Sequence, residues 1–268
     1  MFRFNVEQIN FRVVCFKMVR IFIVPLEVNN MEFQILKNPM SILEVHLKKD
    51  ETVIAEAGAL VFMKGDIEID TKLRAGILKT VKVSLLGNES FFVNKYTAKE
   101  EECVLGLTGP PVGDIFEISI NSEAGFIVQS GSYIASTPGV EIDTKWQGFT
   151  KGIFGSELFM LKATGEGKLF CNAYGGIIEK QILSGEKFVL DNYHLVALSL
   201  DSEYRVTKFG GLKSTILGGE GLVTEISGPA TVYFQTKNLR ELIDLLGVRH
   251  SQETQGNNLN IGGFRIGM

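Results

Sequence analysis

The sequence is poor in the residues that announce a chemistry. Its 268 residues hold three cysteines, three histidines, one tryptophan and six prolines. Cys15, Cys103 and Cys171 are far apart, odd in number and without a Cys-x-x-Cys spacing. That argues against a disulfide framework or a thiolate zinc site and fits a reducing compartment. His46, His194 and His250 share no metal-ligand spacing, and no Gly-x-Ser-x-Gly nucleophile elbow is present. "GGLKST" (Gly210–Thr215) lacks the Gly-Lys-Ser/Thr order and the following helix of a phosphate-binding loop. No catalytic residue, metal ligand or cofactor site is therefore expected, and the chain is read as a non-enzyme. The net charge of −4 argues against a dominant attraction to nucleic acid. Within residues 1–30 the longest uncharged run, Ile21 to Leu26, contains Pro25 and is too short to span a bilayer. The expected location is the cytoplasm, at most peripheral to a membrane.

Strand-forming material, by contrast, is plentiful. Nineteen Phe and abundant Val and Ile favour strands, and 29 glycines supply turns. "EIDTK" occurs twice, at Glu68–Lys72 and Glu141–Lys145, 73 residues apart (141 − 68). The likeness runs outward from both copies, and a third, weaker copy follows. "ILEVHL", "IFEISI" and "IIEKQI" align, their Glu44, Glu117 and Glu179 each ten residues before Ile54, Ile127 and Val189. Gly58 matches Gly131, and Tyr193 takes that glycine's place in the third copy. Downstream, Gly87/Glu89, Gly155/Glu157 and Gly218/Glu220 repeat an apolar pair followed by Gly-x-Glu. The chain thus reads as one module present three times, with spacings of 73 and 62 residues (127 − 54 and 189 − 127).

"ILEVHL" and "IEIDTK" alternate as half-buried strands should. A helical period appears only in "NLRELIDLLG" (Asn238–Gly247), where Leu239, Leu242, Ile243 and Leu246 share a face. The expected fold is all-β: three tandem β-sandwich-like repeats in a pseudo-threefold prism, with a short C-terminal helix. The boundaries are 1–30, an extension upstream of Met31; 31–112, 113–175 and 176–247, the repeats; and 248–268, a polar flexible tail.

In this order, "IAEAGALVFM", "GNESFF", "GVEIDTKW", "AYGGI", "GGLKS", "GEGLV" and "SGPATVYFQTKN" resemble a family of small β-rich proteins. That family is named for altered inheritance of mitochondria, the twenty-fourth of its series. The resemblance covers about residues 31–246. It implies a β-fold like that of the tryptophan-RNA-binding attenuator protein, three times in one chain. It also implies mostly prokaryotic relatives, with a fungal member that is mitochondrial and linked to inner-membrane organisation. Tyr193 departs from the glycine usual in the family at that turn.

Two constellations stand out. Glu89, Glu157 and Glu220 are related by the repeat and could converge on a hard cation; alternatively each carboxylate closes its own turn. Between the "EIDTK" strand and the Gly-x-Glu turn, Ile77/Lys79, Phe149/Lys151 and Leu212/Lys213 recur beside Gly76, Gly148 and Gly211. Apolar tips flanked by lysine suit an anionic membrane surface or a homo-oligomer interface; alternatively they fold back onto the repeat. The leading expectation is a self-associating β scaffold that touches membranes through these connections. A small-ligand or metal-binding module comes second, and RNA binding, which needs a basic track with exposed aromatics, third.

Overall fold

In "ILEVHL", β2 (Ile42–Leu47), every second residue is buried, so one face of a pleated strand meets the core and Glu44 and His46 stand on the other. The computed structural model describes residues 31–36, 40–71, 92–122, 124–143, 160–208, 222–246, 260–261 and 264–265. Strands are the dominant element among the described residues, with one short helix. Before β2 lies β1 (Glu32–Leu36), and a first set of six continues with β3 (Thr52–Glu56), β4 (Leu60–Lys64), β5 (Ile67–Asp70), β6 (Val93–Ala98) and β7 (Cys103–Leu107). A second set comprises β8 (Ile115–Ile120), β9 (Phe126–Gln129), β10 (Tyr133–Ser136), β11 (Val140–Asp143), β12 (Met160–Gly165) and β13 (Gly167–Asn172). The third comprises β14 (Ile177–Ile182), β15 (Lys187–Asp191), β16 (Leu195–Ser199), β17 (Glu203–Lys208), β18 (Leu222–Ser227) and β19 (Ala230–Gln235). Helix α1 (Leu239–Leu246) follows, and in the tail β20 (Asn260–Ile261) pairs with β21 (Phe264–Arg265). The Glu-Ile-Asp part of each "EIDTK" segment lies in β5 or β11, which occupy matching sheet ends.

No set completes a sheet alone. One six-stranded sheet has the order β5-β6-β3-β10-β13-β8, and the other β11-β12-β9-β16-β19-β14. In each, three strands of one set are continued by three strands of the next. The joints match residue for residue: Ile54 opposes Ser136 in the first and Ile127 opposes Leu198 in the second. Both are antiparallel, and each joint strand carries a bulge against its inner neighbour, between Tyr133 and Ala135 and between Leu195 and Ala197. A bulge adds a residue to one strand and sharpens its twist. Two half-sheets remain, β1-β2-β7-β4 and β15-β18-β17.

The core follows this sharing. Ile134, Ala135 and Phe170 of the second set are packed with Leu43, Val45, Val53 and Leu105 of the first. Phe116, Tyr133 and Leu169 are packed with Val196 and Ala197 of the third. Phe33 of β1 packs against Phe170, their ring centroids 4.6 Å apart and their planes tilted by 35°.

Polar groups fix the connections between sets. Asn172, buried at the end of β13, accepts from the Gly109 amide at 3.0 Å and donates to the Asp114 carbonyl at 3.1 Å. Gln235 at the end of β19 does the same work, accepting from Tyr174 N–H at 3.0 Å and donating to the Tyr193 carbonyl at 2.9 Å. At Gly113 a Cβ would collide with the carbonyl oxygens of Ala173 and Gly175, so only glycine allows this crossing of two connections.

Tyr193, the departure from the glycine at its turn, resolves simply. Gly58 has φ of +97°, whereas Tyr193 lies in a 3-10 turn, Asn192–His194, and its N–H bonds the Asp191 carboxylate at 2.8 Å. That turn needs no left-handed residue. In α1, Leu239, Leu242 and Ile243 are half-buried as the period predicts, while Leu246 at the helix end is exposed.

Phe170 is fully buried where two sets share a core. Phe170→Ala is expected to lower unfolding free energy by about 3–5 kcal/mol, read from urea denaturation, because a cavity remains that neither set can fill.

Candidate functional site

All the residues singled out by sequence as site candidates, Ile77, Lys79, Phe149, Lys151, Leu212 and Lys213 with Glu89, Glu157 and Glu220, lie outside the described residues. Among the described residues no three His, Cys, Asp or Glu side chains gather so as to hold a metal ion, and no helix is long and apolar enough to cross a membrane. The aligned glutamates sit on the outward faces of their strands. Glu44 meets His46 at 2.8 Å, Glu117 meets Lys168 at 3.0 Å, and Glu179 accepts from the Gln181 amide at 2.8 Å.

What the described residues bring together is a pair of unused strand edges. In the joints, Ile134, Ala135 and Ser136 of β10 are buried, as are Val196, Ala197 and Leu198 of β16. The matching residues of β4 are Val61, Phe62 and Met63, and they are 54%, 40% and 48% exposed. β4 pairs only with β7 among the described strands, yet it has the bulge of the other two, between Leu60 and Phe62. Phe62 stands opposite Gly106, and its ring covers the space that a Cβ there would take. In the built joints this pair is inverted: Ala135 faces Phe170, and Ala197 faces Tyr233. Volume is exchanged across the two strands and the backbone keeps its course.

The other edge is β15, which pairs only with β18 among the described strands. Its Val189 matches Ile54 and Ile127, both buried in joints, but is 51% exposed. Such edges present unpaired backbone N–H and C=O groups, a ready template for another strand.

The chemistry of a built joint shows what holds it. Tyr133, wholly buried, places its hydroxyl 3.1 Å from Ser136 Oγ and donates to the Ile54 carbonyl across the joint at 3.4 Å. Cys171 lies directly opposite Tyr133 on β13 and is equally buried. Burial pushes both the Tyr133 phenol and the Cys171 thiol far above their ordinary ranges, because neither anion can be solvated there. In the second joint Tyr233, stacked 5.2 Å from Phe116, is pushed up to about 12, first by desolvation and then by the Glu179 carboxylate. Cys171 is thus a packed, protonated thiol without nucleophilic character.

His194 has a structural post at the root of α1. Its Nδ1–H donates to the Gln235 carbonyl at 2.7 Å, and Nε2 accepts from the Asn238 amide at 2.9 Å. Asn238 in turn caps α1, its Oδ1 accepting from Glu241 N–H at 2.9 Å.

The edge residues Val61, Phe62, Met63 and Val189 were not singled out by sequence. Their signal was present in the repeat alignment, where Phe62 and Met63 stand against Ala135 and Ser136. Phe62 stands where both built joints have alanine, on an edge that only β7 pairs with among the described strands.

A chain built from successive six-strand sets that share their sheets belongs to the all-β proteins assembled from joined modules. More narrowly, the model of the family described as "Mitochondrial biogenesis AIM24" matches residues 33–237, and the chain belongs to that family. It is similar to an uncharacterised protein of Streptococcus pyogenes serotype M6, with 26% identity over 227 residues that cover 81% of this chain and 90% of that protein. It is also similar to the crystal structure of a Streptococcus pyogenes protein, with 25% identity and a TM-score of 0.65, over 81% of this chain and 99% of that one.

The buried joint makes stability sensitive to alkali. A group whose folded pKa is raised keeps its full contribution below its unfolded pKa and loses it as pH climbs above, since the unfolded chain gives up its proton first. For the Cys171 thiol the loss begins above about pH 8.5, and for the two phenols above about pH 10. Each group then costs about 1.4 kcal/mol per pH unit. Urea midpoints should fall from pH 8.5 to 10, and Cys171→Ala, though less stable at pH 7, should flatten that stretch.

Proposed function

We propose that the chain is a non-enzymatic β scaffold that works by associating with copies of itself, its three sets disposed about a pseudo-threefold axis. The observation that carries this reading is the exposed apolar run Val61, Phe62 and Met63 on the edge of β4 that no described strand pairs with. A run of large apolar side chains beside open backbone groups costs solubility unless a partner covers it. The repeated strand order and the matching joints support the axis, because identical connections made in succession carry the chain around one line.

A second role, contact with an anionic membrane surface, rests on the recurring apolar and lysine pairs Ile77/Lys79, Phe149/Lys151 and Leu212/Lys213.

Light scattering on the full chain over a hundredfold dilution tests the first role. The expected result is a mass above that of one chain which falls on dilution, and which Phe62→Ser with Met63→Ser brings to that of one chain. A wild-type chain that stays single at every concentration would refute the scaffold. Co-sedimentation with phosphatidylserine-containing vesicles tests the second. Binding should weaken with salt and drop severalfold in the combined Ile77→Ser, Phe149→Ser and Leu212→Ser variant; equal sedimentation of variant and wild type removes the membrane role.

A further inference from the structure

We infer that the free edge of β15 in one copy pairs, antiparallel, with the free edge of β4 in a second copy, joining copies head to tail in the register already used twice inside the chain. The inference rests on the scaffold reading above and names its contact.

The argument begins from the two built joints. In each, the strand that follows the first strand of one set pairs with the third strand of the next set: β3 with β10, and β9 with β16. The third set offers the corresponding strand, β15, and no described strand receives it. The first set offers the corresponding receiving strand, β4, and among the described strands only β7 pairs with it. Among the described residues of one copy the half-sheets carrying them, β15-β18-β17 and β1-β2-β7-β4, share no ladder, so the third joint that a threefold arrangement calls for is not made within the chain. One molecule therefore carries both halves of a joint, unpaired with each other, and a second copy carries the complement of each.

The residues fit the register. Carrying the two observed joints forward by the repeat spacing places Val189 opposite Met63, Leu190 opposite Phe62, and Phe188 opposite Lys64. Exposed Val189 and Met63 would then cover each other, as Ile54 and Ser136 do and as Ile127 and Leu198 do. A slip of one residue would set Lys187 against Lys64, a like-charge pair, and would turn every side chain to the wrong face. The bulge of β4 between Leu60 and Phe62 occupies the same place as those of β10 and β16, so the receiving strand already has the twist of a joint strand. The contact is heterologous: each copy gives one edge and takes another, so the product is a closed ring or an open filament, and not a two-fold dimer.

Directly opposed strand residues have Cα atoms about 4.5–5.5 Å apart, within reach of a disulfide. In a full-length Cys15→Ser background, with Cys103 and Cys171 both buried, Met63→Cys and Val189→Cys are made as separate single variants and also together. After mild oxidation, a mixture of the two single variants should give a linked species of twice the chain mass. Each single variant alone should give none, and the combined variant should give a ladder of multiples. Linkage of a single variant to itself overturns the head-to-tail joint, as does linkage of the combined variant confined within one chain. If light scattering shows association while no linkage forms, copies meet elsewhere; the inference fails and the scaffold stands. A chain that is single at all concentrations removes both.

Discussion

Backbone hydrogen bonding between neighbouring sets is the constraint from which the rest follows. Each set of six strands supplies two half-sheets, and neither half is complete until the adjacent set adds its own. The β3–β10 and β9–β16 ladders are thus at once the covering of two otherwise open edges and the route by which hydrophobic cores pass from one set to the next. Strands left unpaired expose a row of polar backbone groups, and a row of apolar side chains as well, so the arrangement favours continuation. Stability in such a chain resides at least as much between modules as within them.

The joints are protected in a consistent way. Small residues, Ala135 and Ala197, stand where two backbones and a bulge crowd together, and a large ring from the neighbouring strand fills the remaining volume. The buried Tyr133 hydroxyl satisfies a carbonyl across the first joint, and the amides Asn172 and Gln235 close the connections beside them. Each buried polar group has a defined partner, the condition under which polar burial specifies one arrangement instead of weakening it. Asp114 is the exception: one of its carboxylate oxygens is buried with no hydrogen-bond partner among the described residues.

Much of the fold was legible in the residues. The alternation in "ILEVHL" and the recurrence of "EIDTK" lead directly to β2, β5 and β11, and the aligned glutamates take the outward positions that alternation assigns. The helix after Asn238 was legible too, apart from its Asn238 cap and from Leu246, whose burial a period alone cannot decide because it needs a neighbour to pack against. Sheet order was not legible. Alternation fixes which face of a strand is apolar and is silent on which strand lies beside it, and here the partners come from a different repeat. For that reason sequence reasoning turned to the long connections and passed over β4 and β15, where the informative feature is a missing neighbour.

One further strand has a role that its small size conceals. β1 lies along the outer side of β2 and lays Phe33 on Phe170, a residue of the next set. It therefore forms one border of the first half-sheet, with β4 at the other. Being clamped by an aromatic ring that belongs to a different sheet, this border also ties the molecule's first edge to the firmness of its middle. A chain that lost β1 would bare the apolar flank of Phe170 and surrender a brace in the same stroke.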